Sequence, residues 1–218
     1  MKANSPILPI RSHFQDSPLT QEAWQQFFKS GYCIARGVFD SFEIAKLRSS
    51  LQDLERIARE LAHDRSLIAG IEHRLNHKGS LFVLDKSDRE LKSLKRVVGC
   101  GSVDPTLLNS SRSPKLMAAF SDLLLSKCME QLICQFHPKK PGDDVAFAPH
   151  RDIEHRLNYD ANWIDVNGFG SYAIAVISVD PSSAHNGGLY LVPESHLGFD
   201  LSQVEKAADN FNENWSLR

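Results

Sequence analysis

Tyr172-Ala-Ile-Ala-Val-Ile-Ser-Val179 indicates the fold class of this 218-residue chain more directly than any other segment. It is a short apolar run rich in β-branched residues, which favour a pleated and half-buried surface. Asn186-Gly187-Gly188 predicts a turn soon after it, and Leu189-Tyr-Leu-Val192 predicts a second strand that Pro193 ends. We therefore expect a β-sheet in the C-terminal half of the chain.

Two further strands are predicted upstream of this pair. They are Leu132-Ile-Cys-Gln-Phe136 and the segment from Val145 to His150, and a loop rich in Pro, Lys, Gly and Asp separates them (138–144). A run of strands over residues 128–200 fits a double-stranded β-helix, the jelly roll of cupin-like proteins.

Residues 1–127 are predicted to be mainly helical. Thr20 has the side chain of an N-cap for a helix that Gly31 ends, and Asp40 or Ser41 caps a longer helix that runs to about Ala62. Shorter segments are predicted as strands over 32–36 and 81–84 and as helices over 87–98, 104–109 and 113–126. Helices followed by strands predict a single α+β domain over residues 1–218, with the helices flanking the jelly roll.

The composition narrows the classes of function. Lys and Arg number 25 and Asp and Glu number 27, so the formal net charge is −2 and a nucleic-acid partner is not expected. No apolar run approaches the roughly 18 residues of a membrane span, and no signal peptide is expected. The four cysteines form no CxxC pair and no zinc spacing, so we expect reduced thiols in a cytoplasmic protein.

His150-Arg151-Asp152 is the motif with the most specific chemistry. On a strand, residues two apart point to the same face. One imidazole and one carboxylate on one face are two thirds of the facial triad that binds non-haem Fe(II) in oxygenases. The competing interpretation is an ion pair or a hydrogen-bonded surface pair, because this short pattern is common by chance.

Several motifs occur in an order that resembles one family. The specific ones are Lys139-Lys-Pro-Gly142, His150-x-Asp152 and the segment from Asn186-Gly187 to Pro193-x-Ser195-His196. Gly31-Tyr32 and Gly37-Val-Phe39 add support near the start. Over about residues 19–199 the chain resembles the phytanoyl-CoA dioxygenase family of Fe(II)- and 2-oxoglutarate-dependent oxygenases, which includes ectoine hydroxylases.

The resemblance implies a jelly roll with flanking helices and an oxidative decarboxylation of 2-oxoglutarate that hydroxylates a small molecule. Its cofactor and co-substrates would be Fe(II), 2-oxoglutarate and O2. His150 and Asp152 match the first two iron ligands, and Gln135 and Lys139 match positions that bind 2-oxoglutarate. A solvated loop charge is the competing interpretation of Lys139. Asp152 favours hydroxylation over halogenation, because related halogenases have a small residue in its place.

The chain departs from the family at the third iron ligand. The family has a distal histidine several tens of residues beyond the Pro-x-Ser-His motif, followed by an arginine for the 2-oxoglutarate carboxylate. After His196, which we assign to structure or to the substrate pocket, the sequence has no histidine, and its only later arginine is Arg218. Three explanations of this departure compete. The sequence is a fragment of a longer enzyme, it is a natural truncation or pseudoenzyme, or His155 or His185 completes the site.

Two alternative functions remain open. In the first, the chain is a non-catalytic jelly-roll binding protein. In the second, it is a cupin-like metalloenzyme that does not use 2-oxoglutarate. The sequence does not identify the substrate or the oligomeric state.

Overall fold

The computed structural model describes residues 11, 16–64, 66–87, 90–140, 150, 152, 172–183 and 186–197. The chain divides into two compact units. The first comprises Met1–Val38, Pro114–Met129 and Phe147–Arg218, and the second comprises Phe39–Ser113 and Glu130–Ala146.

Four α-helices and four strands alternate in blocks along the described chain. In chain order they are α1 (Gln21–Ser30), α2 (Ser41–Ala62), β1 (Glu72–His77), β2 (Ser80–Ser87), β3 (Glu90–Val98), α3 (Pro105–Ser111), α4 (Pro114–Leu124) and β4 (Gln135–Phe136). Short 3-10 turns cover Cys100–Ser102 and Ser195–Leu197. The mixture of helices with an antiparallel sheet confirms the α+β class.

Helix α1 begins and ends where its sequence predicts. The Thr20 hydroxyl accepts a hydrogen bond from the N–H of Ala23 at 3.1 Å, which satisfies one of the N–H groups that a helix leaves unpaired. Gly31 adopts φ +84°, and its N–H donates to the carbonyl of Phe27 at 2.8 Å. This left-handed ending explains why a glycine follows the helix.

The core of the first unit lies between α1 and α4. It consists of buried apolar residues from both helices and from the segment before α1: Leu19, Trp24, Phe28, Ala119 and Leu123. Trp24 is 2% exposed, and its indole N–H donates to the carbonyl of Asp122 at 3.1 Å. Burial of an aromatic side chain of this size is a large apolar contribution, and the hydrogen bond satisfies its one polar atom.

A buried ion pair joins Arg11 to α4. Arg11 donates to one carboxylate oxygen of Asp122 through Nη2 at 2.6 Å and through Nε at 3.1 Å, and its Nη2 also donates to the carbonyl of Leu19 at 2.7 Å. The two side chains are 8% and 0% exposed. Since an unpaired buried charge is costly, removal of either partner would destabilise this unit strongly.

Helix α2 is the longest helix of the second unit. Asp40 and Glu43 form a capping box: Asp40 accepts from the N–H of Glu43, and Glu43 accepts from the N–H of Asp40, both at 2.8 Å. The predicted span to Ala62 is confirmed. The helix contacts β2, β3 and α3. Its buried residues recur at helical spacing: Leu47, Ser50, Leu54, Ala58 and Ala62.

The sheet is antiparallel throughout, in the order β1-β2-β3-β4. His77 pairs with Ser80 across the two-residue turn Lys78-Gly79, where both residues have positive φ. Such a turn matches the right-handed twist of the strands it joins. The central strand β2 buries three consecutive side chains, Phe82, Val83 and Leu84, so both of its faces are covered.

The helix predicted over 87–98 is wrong, because Ser87 is the last residue of β2 and Glu90–Val98 form β3. Leu94 and Val97 of this strand are 3% and 0% exposed, and its backbone pairs with β2 on one side and β4 on the other. Local helix propensity is overridden here by pairing and burial. The N-terminal part over 1–127 thus contains three strands of the sheet beside the four helices.

Several predicted strands are also absent from the described residues. Residues 32–36 and 189–192 form no strand, the segment 132–136 is reduced to β4, and no strand occurs over 172–179. Strand formation requires a partner ladder, and an apolar run does not specify one. The segment from Val145 to His150 lies outside the described residues except for His150. The jelly roll over 128–200 stays a prediction.

Candidate functional site

His150 and Asp152 meet in the first unit. The Nε2 atom of His150 lies 3.2 Å from Oδ1 of Asp152, and the two side chains are 37% and 48% exposed. Asp152 has helical backbone rather than the extended backbone expected for the motif. The two side chains therefore lie close together, but strand alternation is not the cause.

The donor set and the distance fit two ligands of one metal ion. Two ligand atoms that lie about 2.1 Å from an ion and at right angles to each other are about 3.0 Å apart. The observed 3.2 Å is close to that separation, and both side chains are partly exposed. The same distance also suits an ion pair when the imidazole is protonated. A third protein ligand beside the pair would favour the metal site over the ion pair.

No third ligand stands beside this pair in the part of the chain that the structure describes. Within it, no three His, Cys, Asp or Glu side chains cluster closely enough to hold a metal ion. The two alternative candidates from the sequence, His155 and His185, lie outside the described residues.

His196 has a structural position at the end of α1. Its Nε2 lies 3.3 Å from the carbonyl oxygen of Phe28, and its ring covers Gly31 so closely that a Cβ on that glycine would lie 2.5 Å from Nδ1. The N–H of Glu194 also donates to the carbonyl of Ser30 at 2.9 Å. The Gly31-Tyr32 and Pro193-x-Ser195-His196 motifs therefore pack together.

Gln135 and Lys139 belong to the second unit. Gln135 pairs with Val98 in the β3–β4 ladder, and its side chain is exposed. Lys139 is exposed in the following loop, between the buried Pro138 and Lys140. Sequence reasoning overlooked Lys140, whose ammonium group forms an ion pair with Glu55 of α2 at 2.7 Å. This pair joins Lys140 to the long helix.

A pair of thiols in the second unit was also missed. The Sγ atoms of Cys100 and Cys134 are 3.4 Å apart, although the residues are far apart in sequence. The contact raises the pKa of Cys100, which burial raises further. The same contact lowers the pKa of Cys134. The apolar neighbours of Cys128 and Cys134 in the sequence predict reduced core cysteines, but Cys128 is exposed and Cys134 is only partly buried.

A comparison with protein families identifies the chain. The model of the phytanoyl-CoA dioxygenase (PhyH) family matches residues 27–217, which is most of the sequence. The chain belongs to the phytanoyl-CoA dioxygenase family. The matched range includes all four predicted site residues, from Gln135 to Asp152, and both motifs that meet at His196.

Membership of the PhyH family carries expectations at family level. The family has a cupin-like jelly roll and implies Fe(II)- and 2-oxoglutarate-dependent oxygenase chemistry. Searches of curated proteins and of solved structures give no match. None of the described helices is long and apolar enough to cross a membrane.

Proposed function

We propose that this PhyH-family chain is an Fe(II)- and 2-oxoglutarate-dependent oxygenase that hydroxylates a small molecule. The observation that carries the proposal is the approach of His150 and Asp152 to 3.2 Å inside the range that the family model matches. An imidazole nitrogen and a carboxylate oxygen are the protein ligands of such iron sites. Both groups are partly exposed, so an ion and small co-substrates have access to them.

Each of the two side chains has a distinct task in this proposal. Fe(II), when bound, would couple O2 to the decarboxylation of 2-oxoglutarate and to oxidation of a C–H bond. His150 would bind the ion through Nε2 of its neutral ring, and Asp152 through an ionised oxygen. Because Asp152 keeps a carboxylate at the iron, hydroxylation is favoured over halogenation.

Gln135 and Lys139 are proposed to bind 2-oxoglutarate. An amide N–H and an ammonium group both donate to carboxylates, and the charged donor gives the stronger bond. The β3–β4 ladder supports this role by fixing the backbone of Gln135, and the pair between Lys140 and Glu55 supports it by restraining the residue next to Lys139.

The proposal includes the family's jelly roll for the C-terminal part of the chain. Its support is a set of apolar side chains that are 41–64% exposed and that a paired sheet would bury: Ile174, Val176, Leu189, Tyr190 and Leu191. A cytoplasmic location also belongs to the proposal, and the free state of Cys33, Cys100, Cys128 and Cys134 supports it.

Fe(II) binding by variants tests the site assignment. His150→Ala and Asp152→Ala should each lower the Fe(II) affinity, measured by anaerobic calorimetry, by at least about 100-fold, because each removes one ligand. The matched controls are His63→Ala and Asp53→Ala, which change exposed residues of α2 or its C-cap. Wild-type affinity in both site variants would show that His150 and Asp152 are not ligands.

Product analysis separates the proposed reaction from its alternatives. The wild-type chain with Fe(II), O2 and 2-oxoglutarate should release succinate. Iron binding without succinate would point to a metalloenzyme that does not use 2-oxoglutarate. Absence of both would point to a non-catalytic binding protein.

A further inference from the structure

Two thiols face each other at the end of the β3–β4 ladder. Beyond the pair formed by Val98 and Gln135, the N–H of Cys100 donates to the carbonyl of Cys134 at 3.1 Å. The two Sγ atoms are 3.4 Å apart, so they need to approach by about 1.4 Å to reach the length of a disulfide bond. The backbones already lie side by side, which is the arrangement that a disulfide requires.

The two thiols differ in their access to solvent. Cys100 is 2% exposed, whereas Cys134 is partly exposed. A small reagent from solvent therefore reaches Cys134 first. Cys100 is sheltered behind it and is positioned to react with Cys134 rather than with the reagent.

The groups around Cys134 favour its thiolate. A hydrogen bond from the thiol of Cys100 lowers the pKa of Cys134 most, and smaller contributions come from Ser111, from the N–H of Gly101 and from the charge of Arg112. Burial opposes them. Backbone N–H groups of Cys100 and Gly101 also lower the pKa of Cys100, but Ser111 and Arg112 act only on Cys134, so we assign the thiolate to Cys134.

A network of side chains holds these donors in place. Arg112 donates through Nε to Oε1 of Gln131 at 2.6 Å, and Nε2 of Gln131 donates to the hydroxyl of Ser111 at 2.9 Å. The positive charge and the hydroxyl are thus fixed by one amide at the end of α3. Such a positive surrounding is typical of reactive cysteines.

We propose that Cys134 and Cys100 form a site that hydroperoxides oxidise to a disulfide. Cys134 is the attacking thiolate, and Cys100 is the thiol that resolves the sulfenic acid. The sulfur of Cys134 attacks one peroxide oxygen, so that an S–O bond forms and the O–O bond breaks. The leaving hydroxide takes up a proton and becomes water, and Cys134 is a sulfenic acid.

A second displacement completes the reaction. The sulfur of Cys100 loses its proton and attacks the sulfur of Cys134, so that the S–S bond forms, the S–O bond breaks and a second water leaves. In total, two thiols and one hydrogen peroxide give one disulfide and two waters. The sulfur atoms are oxidised and the peroxide is reduced. Both cysteines lie in the second unit, and no step of the reaction uses His150, Asp152 or a metal ion.

The test treats the full chain with hydrogen peroxide in the presence of a metal chelator and follows each cysteine by peptide mass mapping. In the wild type, Cys134 should be consumed at least about tenfold faster than the exposed Cys128. The product should be an intramolecular disulfide to Cys100. Equal rates at Cys134 and Cys128, or oxidised Cys134 beside a free Cys100 thiol, would overturn the proposal.

Variants then separate the two roles. Cys100→Ser should leave a sulfenic acid at Cys134 that dimedone traps, and Cys134→Ser should abolish the fast phase. Cys128→Ser is the matched control and should change neither rate nor product. Far-UV circular dichroism verifies that each variant folds, and the wild-type rates decide the proposal if a variant does not. A fast phase that persists in Cys134→Ser would also contradict it.

Discussion

The two close pairs of reactive side chains, His150–Asp152 in the first unit and Cys100–Cys134 in the second, differ in what surrounds them. The atoms that meet are 3.2 Å apart in one pair and 3.4 Å apart in the other. Both members of the first pair are partly exposed, whereas Cys100 is almost fully buried. A short distance alone does not show what a pair of side chains does. The type of atom and its burial decide between metal binding and covalent reaction.

The pairs also differ in how the chain builds them. His150 and Asp152 are two residues apart, so their contact depends on local backbone. Cys100 and Cys134 meet through the pairing of β3 with β4, and Arg112 and Gln131 fix the charge beside them. The first pair is therefore visible in the sequence as a motif, and the second pair depends on strand register.

Trp24→Ala should give the largest effect, on the unit that contains His150 and Asp152. Removal of a large buried aromatic side chain typically costs about 3–5 kcal/mol of the free energy of unfolding. Denaturant titration measures this loss, and Phe42→Ala, which changes a side chain that is 66% exposed, is the control. Equal losses in the two variants would show that the α1–α4 core does not stabilise the first unit.

Gly31→Ala should destabilise the chain through two separable causes. Positive φ at a non-glycine residue costs about 1–3 kcal/mol, and the new Cβ meets the ring of His196. Gly70→Ala is a matched control, since Gly70 has φ +83° with nothing within 4 Å of its Cβ position. Thermal or denaturant unfolding should show a larger loss for Gly31→Ala. If the two losses are equal, the contact with His196 contributes no stability.

The alkylation rate of Cys134 should persist to lower pH than that of an ordinary thiol, whose pKa is about 8.5. The thiolate is the nucleophile, and its fraction falls only as the pH drops through the lowered pKa of Cys134. Cys100→Ala should move the midpoint to higher pH, and Arg112→Gln should move it less, because the Cys100 hydrogen bond is the larger cause. Iodoacetamide rate profiles measure this order. A profile that neither variant changes would contradict the assignment.

Asp40→Ala should give the smallest effect and should act only on the unit that contains the two cysteines. Loss of an N-cap typically costs about 1 kcal/mol. The free energy of unfolding should fall by that amount, while the Fe(II) affinity of the chain stays at the wild-type value. Glu43→Gln keeps an acceptor in the capping box and should cost less. A large fall in Fe(II) affinity would show that the metal ligands depend on α2.

Local signals in the sequence predicted α1 and α2, because caps such as Thr20 and Asp40 act within one turn of the helix they begin. The strand β3 was not predicted, since its identity depends on pairing with β2 and β4. The same reason explains residues 172–179, which have strong strand propensity and no ladder within the described residues. Propensity indicates what a strand would bury, but the partner decides whether it forms.

The same difference between local signals and long-range pairing applies to the candidate functional residues. His150 and Asp152 were found because a metal motif lies in a short stretch of sequence. Cys100 and Cys134 were missed because no spacing rule covers two cysteines that a sheet brings together from distant positions. The contact between Gly31 and His196 had only one signal in the sequence, namely that both residues lie in motifs of one family.

An anaerobic titration of the 218-residue chain with Fe(II) and 2-oxoglutarate tests the central claim most directly, by following the weak visible charge-transfer band of the iron chelate. The account predicts that the band appears in the wild type, is lost in His150→Ala and Asp152→Ala, and persists in His63→Ala and Asp53→Ala. Absence of the band from the wild type, or an unchanged band in both site variants, would contradict it.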